Sequence, residues 1–429
     1  MKLSDTPSTR RRIIALAIPA LGTLAVEPLY VLVDTAIVGR LGTPQLAGVA
    51  IASTILLTVV SLTVALEYGI TPDIAFAHGQ GRVDDARVLA SDGLMLAVGL
   101  GTVIGTALAI SARWLSWLIG GRGEVLDHAT TYLRIAALGL PLILIAYVGH
   151  GVKRGMNSFT KPLIVVAIAN VVNVVLEIVA VHVLRWGVAG SAWSTVVAQA
   201  GAAVGFVFIL APHTTWTWPR WVRIQPLLRS GLHFALRSIA MFAVWNTATA
   251  VAARIDTPTL AANQVITQIF MFASLGLDAL AIPAQSLVAG ALGSGDRDEA
   301  DHVGWTSARL SLWCGIVLGV VMAVSGPWIA PIFAHDGAVQ SRLVGGLVIL
   351  AMMQLPGAIA FAFDGALIGA EDERWLARQA VRNLAAYAPL AVLTLFVPAM
   401  GLIGLLGAQA MWMTTRAWVN TNRWRFLFR

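Results

Sequence analysis

RLGTPQLA, residues 40 to 47, returns as RIDTPTLA at residues 254 to 261, an offset of 214 (254 minus 40). The same offset places Gly79, Gly81, Asp84 and Ala86 of AFAHGQGRVDDA (75–86) in register with Gly293, Gly295, Asp298 and Ala300 of VAGALGSGDRDEA (288–300). It also relates Gly101 and Gly105 to Gly315 and Gly319, and Gly151 and Gly155 to Gly365 and Gly369. The 429 residues therefore read as one unit of fold written twice.

Composition says what kind of unit it is. The chain is 58% hydrophobic and 12% charged, against about 25% charged in a soluble domain, and its mean hydropathy is +0.78. A span needs about 20 mostly apolar residues. Twelve such runs occur, at 13–38, 45–70, 88–111, 127–150, 162–184, 188–211, 228–253, 259–284, 303–326, 340–363, 376–397 and 402–420. Six runs per half is an even number, so both halves enter from the same side. That is a parallel repeat with its axis along the membrane normal, a plan common in secondary transporters. The expected fold is an all-α polytopic membrane protein. Its twelve transmembrane helices form two pseudo-twofold-related six-helix bundles around a central cleft. The expected division is an N-terminal lobe at 1–211, a linker at 212–226 and a C-terminal lobe at 227–429. A repeat kept only for packing is the competing reading.

Several functions are excluded on residue grounds. A single cysteine, Cys314, leaves no internal disulfide and no multi-cysteine metal site. The net charge of +7 comes from arginines at the ends of apolar runs and not from one patch, so nucleic acid is not a partner. Arg10, Arg11, Arg12, Arg82, Arg87, Lys153, Arg154 and Lys161 fall at the termini and even-numbered loops. Arg40, Arg122, Arg185 and Arg254 are the sparser charges of the odd loops. This bias puts both termini in the cytoplasm. The start, MKLSDTPSTRRR, resembles a signal peptide, but the apolar run after it is too long for one and reads as a retained first helix. No GxxxxGK[ST], GxSxG or HExxH string occurs, so neither an ATP-driven pump nor an enzyme is expected, and no cofactor.

Chemistry must then rest on polar residues inside apolar runs. Asp34 lies in EPLYVLVDTAIVGRLG (27–42). An aspartate at the centre of a span costs roughly 2.5–3.5 kcal/mol on insertion scales and marks a functional site by default. A carboxyl held from water in a cavity is what a proton-coupled carrier needs. Glu27 lies two turns earlier on the same face, and Pro28 offers a hinge because it removes a backbone hydrogen bond. The rival for Asp34 is an ion pair with an arginine that merely locks two helices. In IVVAIANVVNVVLEIVAVHVL, Asn170, Asn173 and Glu177 form one polar stripe. The stripe either meets the Asp34 face as a proton or Na+ site or supplies hydrogen bonds between helices. Asp278, with Met241, Trp245 and Met271, are the candidates for contact with substrate. Arg237 is expected to snorkel or pair with an acid, Asp364 to sit solvated near a helix end, and His150 and His182 to be structural.

The quoted motifs together resemble a known family. PLYVLVDTAIVGRLGTPQLAGVA, the paired loops AFAHGQGRVDDA and VAGALGSGDRDEA, and DGALIGAEDERW are similar to the signatures of multidrug and toxic compound extrusion (MATE) transporters, in particular the DinF-type branch. The resemblance covers nearly the whole chain. It implies an antiporter of a bacterial plasma membrane, acting as a monomer. The cargo is a small organic cation, amphipathic drug or metabolite, exported against inward H+ or Na+. It places Asp34 on the family's ion-coupling aspartate and Asn170 and Asn173 on its asparagines. Glu177 stands where aspartate is commoner, and coupling is placed in the first lobe, since the seventh span has no acid. A lipid-linked saccharide flippase of the same superfamily is the alternative, and a membrane-embedded transferase or a channel is more distant.

Overall fold

The computed structural model describes residues 8–215, 220–397 and 400–429, without the side chains of Glu27 and Leu32. Among the described residues there is no strand. Helix α1 covers Thr9–Gly39. Helices α2 (Thr43–Thr63) and α3 (Ala65–Gly79) make one span with a break at Val64. Helix α4 is Val83–Ile119. Helices α5 (Gly123–Ala137) and α6 (Leu140–Gly155) form a second broken span, bent by 49°. Helix α7 (Thr160–Ile178) runs on through one π-helical turn, Val179–Val183, and α8 is Gly187–Leu210. The second half contains α9 (Trp221–Ile255), α10 (Thr257–Gly293), α11 (Arg297–Phe333), α12 (Gly337–Gly369), α13 (Glu373–Leu393) and α14 (Gly401–Leu427).

These are twelve helical segments at the twelve expected places. Nine are long and apolar enough to cross a membrane, ten with the bent α5–α6 pair, among the described residues. Helices α13 and α14 complete the set; arginines along them, such as Arg382 and Arg416, lower their apolar content. Helix α9 begins at Trp221, inside the segment read as a linker, and α6 continues five residues past the run that ended at 150. The extension of α6 carries Lys153 and Arg154 into buried positions, although the sequence reading counted both as loop charges.

The repeat governs where helices start and stop. Thr43–Gly79, Val83–Ile119 and Gly123–Gly155 in the first half correspond to Thr257–Gly293, Arg297–Phe333 and Gly337–Gly369 in the second, each shifted by 214 (257 minus 43). Loop glycines follow the same register. Gly81 (φ 71°) and Gly295 (φ 80°) both adopt the left-handed conformation that ends a helix without a Cβ clash.

Helix crossings repeat as well. A Cβ on Gly105 would lie 2.6 Å from the Ala137 carbonyl oxygen, and one on Gly319 would lie 2.8 Å from that of Ala351. Ala137 and Ala351 are themselves 214 apart. Gly151 abuts the Glu67 carbonyl and Gly365 that of Ala281, again at matched positions. Close backbone approach through small residues is the usual means of helix association where lipid removes the hydrophobic driving force.

By contacts the chain divides into two compact units, Gly22–Leu232 and Met1–Leu21 with His233–Arg429. The division falls inside α1 and α9, and the expected lobe boundary at 226/227 also falls inside α9. Within the second unit Thr9 and Arg12 bond to Glu299. Within the first, Arg223 near the start of α9 pairs with buried Asp92.

Gly105→Val and Gly319→Val are each expected to destabilise the solubilised protein by roughly 1–3 kcal/mol through overpacking. Gly99, with nothing within 4 Å of its added Cβ, should accept alanine without loss. Thermal unfolding in detergent measures all three.

Candidate functional site

Three helices of the unit Gly22–Leu232 each present a pair of polar residues one turn apart. Helix α1 gives Tyr30 and Asp34, α7 gives Asn173 and Glu177, and α8 gives Ser191 and Thr195. The spacing of four puts both members of each pair on one helix face. Asp34 is 7% exposed and Glu177 is 0% exposed. The Ser191 hydroxyl donates to Asp34 Oδ1 at 3.2 Å. Thr195 Oγ1 donates to the Ser191 carbonyl at 3.1 Å, so it accepts from Asn173 Nδ2 (3.3 Å) and from the Tyr30 hydroxyl (3.1 Å). Glu177 lies beside Asp34 and Ser191. Neither of its carboxyl oxygens has a hydrogen-bond partner of normal geometry, and nor does Asn173 Oδ1. Tyr132, from α5, closes the group.

Among the described residues neither acid has an ion-pair partner. The arginine lock weighed for Asp34 is therefore not what holds it. The structure brings together Asp34, Asn173 and Glu177 but not Asn170, whose amide donates to the Val166 carbonyl of its own helix at 2.8 Å. Asn170 instead lines a cavity of about 260 Å³ in the same unit, with Tyr30, Glu67, Tyr68, Tyr147, His150 and Arg154 among its walls. Tyr30 thus belongs to both the cavity and the carboxyl cluster. His150 packs on Phe206 with ring centroids 4.8 Å apart. Pro28 lies within the unbroken helix α1. The Glu27 side chain lies outside the described residues.

In the other unit the charged group is of a different kind. Asp364 is buried, not solvated, because α12 runs on to Gly369 and keeps it inside the helix. Its Oδ2 takes ion pairs from Arg237 and Arg416, and its Oδ1 accepts from Asn420 Nδ2 at 2.7 Å. Asp278 lies near Arg416. Met241 stands beside this cluster at a small cavity. Trp245 packs on Phe270 at 4.4 Å in the apolar core, and Met271 packs against the same core. Sequence reasoning missed Arg416, Asn420 and Glu67. For the two charged residues the overlooked signal was the one that exposed Asp34: a charge inside an apolar run.

Repeat arithmetic separates scaffold from site. Shifted by 214, Asp34, Asn173, Glu177, Ser191 and Thr195 become Ala248, Tyr387, Ala391, Leu405 and Gln409, all buried. One unit has the carboxyl cluster; its twin fills the same positions with mostly apolar core.

The family model described as MatE matches residues 19–179 and 234–406, most of both halves. The chain belongs to the MATE family of transporters. Protein DETOXIFICATION 44, chloroplastic, of Arabidopsis thaliana is 29% identical over 97% of this chain and 84% of its own. DNA damage-inducible protein F of Escherichia coli is 26% identical, with 93% and 87% covered. Among solved structures, a MATE in its bent conformation superposes with a TM-score of 0.92 at 19% identity, covering 98% of this chain and 96% of that one. A MOP superfamily transporter from Pyrococcus furiosus gives 0.90, also at 19% identity and with the same coverage. These likenesses show that this MATE protein shares their fold.

Asp364→Asn leaves two buried guanidiniums with a neutral partner. It is expected to cost about 3–5 kcal/mol, the usual effect of removing one side of a buried pair. Chemical denaturation of the purified protein provides the check.

Proposed function

We propose that the protein exports amphipathic organic compounds in exchange for an inward-moving H+ or Na+, and that Asp34 and Glu177 hold that ion. The observation that carries this reading is the pair itself: two carboxyl groups against each other, buried, and among the described residues without an ion-pair partner. Like charges so placed cannot both stay ionised alone. A shared proton relieves them, and so does a small hard cation ringed by oxygens. Asn173 Oδ1 and the Ser191 and Thr195 hydroxyls are oxygens of that kind within the cluster.

Coupling needs the ion state to alter substrate affinity, since an ion that treats both conformations alike shifts neither. Tyr30 offers the connection. Its hydroxyl belongs to the Thr195 network and its ring to the cavity wall. Ion binding that repositions the Asp34–Ser191 bond moves the Ser191–Thr195 turn of α8 and so the Tyr30 wall. Substrate then leaves, and the emptied carrier reverses. The names of relatives, DETOXIFICATION and probable multidrug resistance protein NorM, support an export role. A flippase would require unpaired cations for a pyrophosphate, yet Arg154, Arg237 and Arg416 are all engaged by acids. The charge bias of the loops supports cytoplasmic termini, and the likeness to an Escherichia coli protein supports a bacterial plasma membrane.

Efflux of a fluorescent cation from proteoliposomes, with proton and sodium gradients imposed separately, tests the proposal. One gradient should drive efflux. Asp34→Asn and Glu177→Gln should each reduce it to the protein-free leak while insertion is retained. Undiminished export by an Asp34→Asn variant would defeat the assignment.

A further inference from the structure

Glu67 on α3 and Arg154 on α6 form an ion pair, and both side chains are 7% exposed. Both line the 260 Å³ cavity. The repeat supplies an internal control for what this pair does. Shifted by 214, Glu67 becomes Ala281 and Arg154 becomes Ile368, both buried. The two crossings share a close backbone contact: Gly151 abuts the Glu67 carbonyl just as Gly365 abuts that of Ala281. In the twin crossing an alanine and an isoleucine therefore suffice at these two positions. Buried ion pairs pay a large desolvation cost and seldom outperform apolar replacements. The charged version occurs in the unit where it faces a cavity, and the packing of the twin crossing gives no reason for it.

Electrostatics then selects the ligand. The wall is neutral because its two charges cancel. A ligand with one charge would capture one side chain and leave the other unpaired in a poorly solvated site, which is costly. A ligand with both charges replaces one pair by two and keeps the cavity neutral. Three of the chain's five tyrosines, Tyr30, Tyr68 and Tyr147, line the same space and offer aromatic faces. We propose that Glu67 and Arg154 are a two-ended recognition site for a zwitterionic aromatic compound, with Glu67 receiving its cationic end and Arg154 its carboxylate. As a statement about cargo it rests on the export reading; as a statement about binding it does not.

Rhodamine B, a zwitterion at neutral pH, and its ethyl ester, a monocation on the same ring system, test it by fluorescence anisotropy with the full-length protein in detergent. The wild type should bind the zwitterion about tenfold tighter, the ratio produced by one charge contact of about 1.4 kcal/mol. Arg154→Gln should lose most of that preference. The double variant Glu67→Ala, Arg154→Ile, which copies the twin crossing, should stay folded and bind both dyes alike. Equal binding of the two dyes by the wild type, binding of neither, or a preference surviving in the double variant would overturn the proposal. Unfolding of the double variant would overturn it too, by showing that the pair packs the helices. A zwitterion preference without gradient-driven efflux of either dye would keep this site and sink the export reading instead.

Discussion

Two carboxyl groups set side by side out of water, with no guanidinium or ammonium paired to them among the described residues, create a demand for positive charge. Other buried acids in the chain avoid this demand. Asp92 has Arg223, Glu67 has Arg154, and Asp364 has Arg237 and Arg416. Asp34 and Glu177 alone among these have only a serine hydroxyl and each other. On the proposed function, the charge this pair lacks is supplied by a mobile ion. On the same reading, that deficit is what makes a helical scaffold respond to a gradient.

The scaffold is insensitive to this chemistry. Glycines that bring backbones together recur at matched positions in both units and meet matched carbonyls. The buried charges do not recur. Even helix starts differ: α10, α11 and α12 are capped by Asp256, Asp296 and Asp336, whereas the corresponding positions in the first half are Gly42, Arg82 and Arg122. The Asp256 carboxyl is held below its ordinary range. Partial burial alone would raise it, but the Thr259 amide and the Arg342 guanidinium outweigh that. Duplication preserved the spacing of helices and freed the side chains between them to diverge.

This explains how much was legible in the sequence. Spans, their number and the offset between halves depend on hydropathy and on glycine spacing, both local and periodic, and they could be read directly. Asp34 stood out because one acid in an apolar run has few explanations. Asn173 and Glu177 followed from helical spacing, whereas Asn170, three residues before Asn173, turns back to its own helix. A period of 3.6 residues places a side chain on a face but does not say whether its amide bonds across or along the helix. Asp364 was misjudged because the span was ended too early, and its partner Arg416 is 52 residues away. Ion pairs between distant helices leave no mark on either helix alone. Ser191 and Thr195 carry no signal at all, since hydroxyls are common in membrane helices and bond to their own backbone, as Thr195 also does here.

The cavity and the ion site meet at Tyr30, and this shared residue bears on how tightly the two processes can be linked. A phenol can donate only one proton, and Thr195 Oγ1 takes it while also accepting from Asn173. An ion that draws Asn173 or Ser191 toward the carboxyls competes for the same atoms that position Tyr30. The competition needs no long chain of intermediaries, because every participant is on α1, α7 or α8 within one unit. Coupling of this kind is strong in proportion to how few alternative partners Tyr30 has. On the export reading, Tyr30 stands at the edge of the substrate space, where leaving the network changes the shape of the wall.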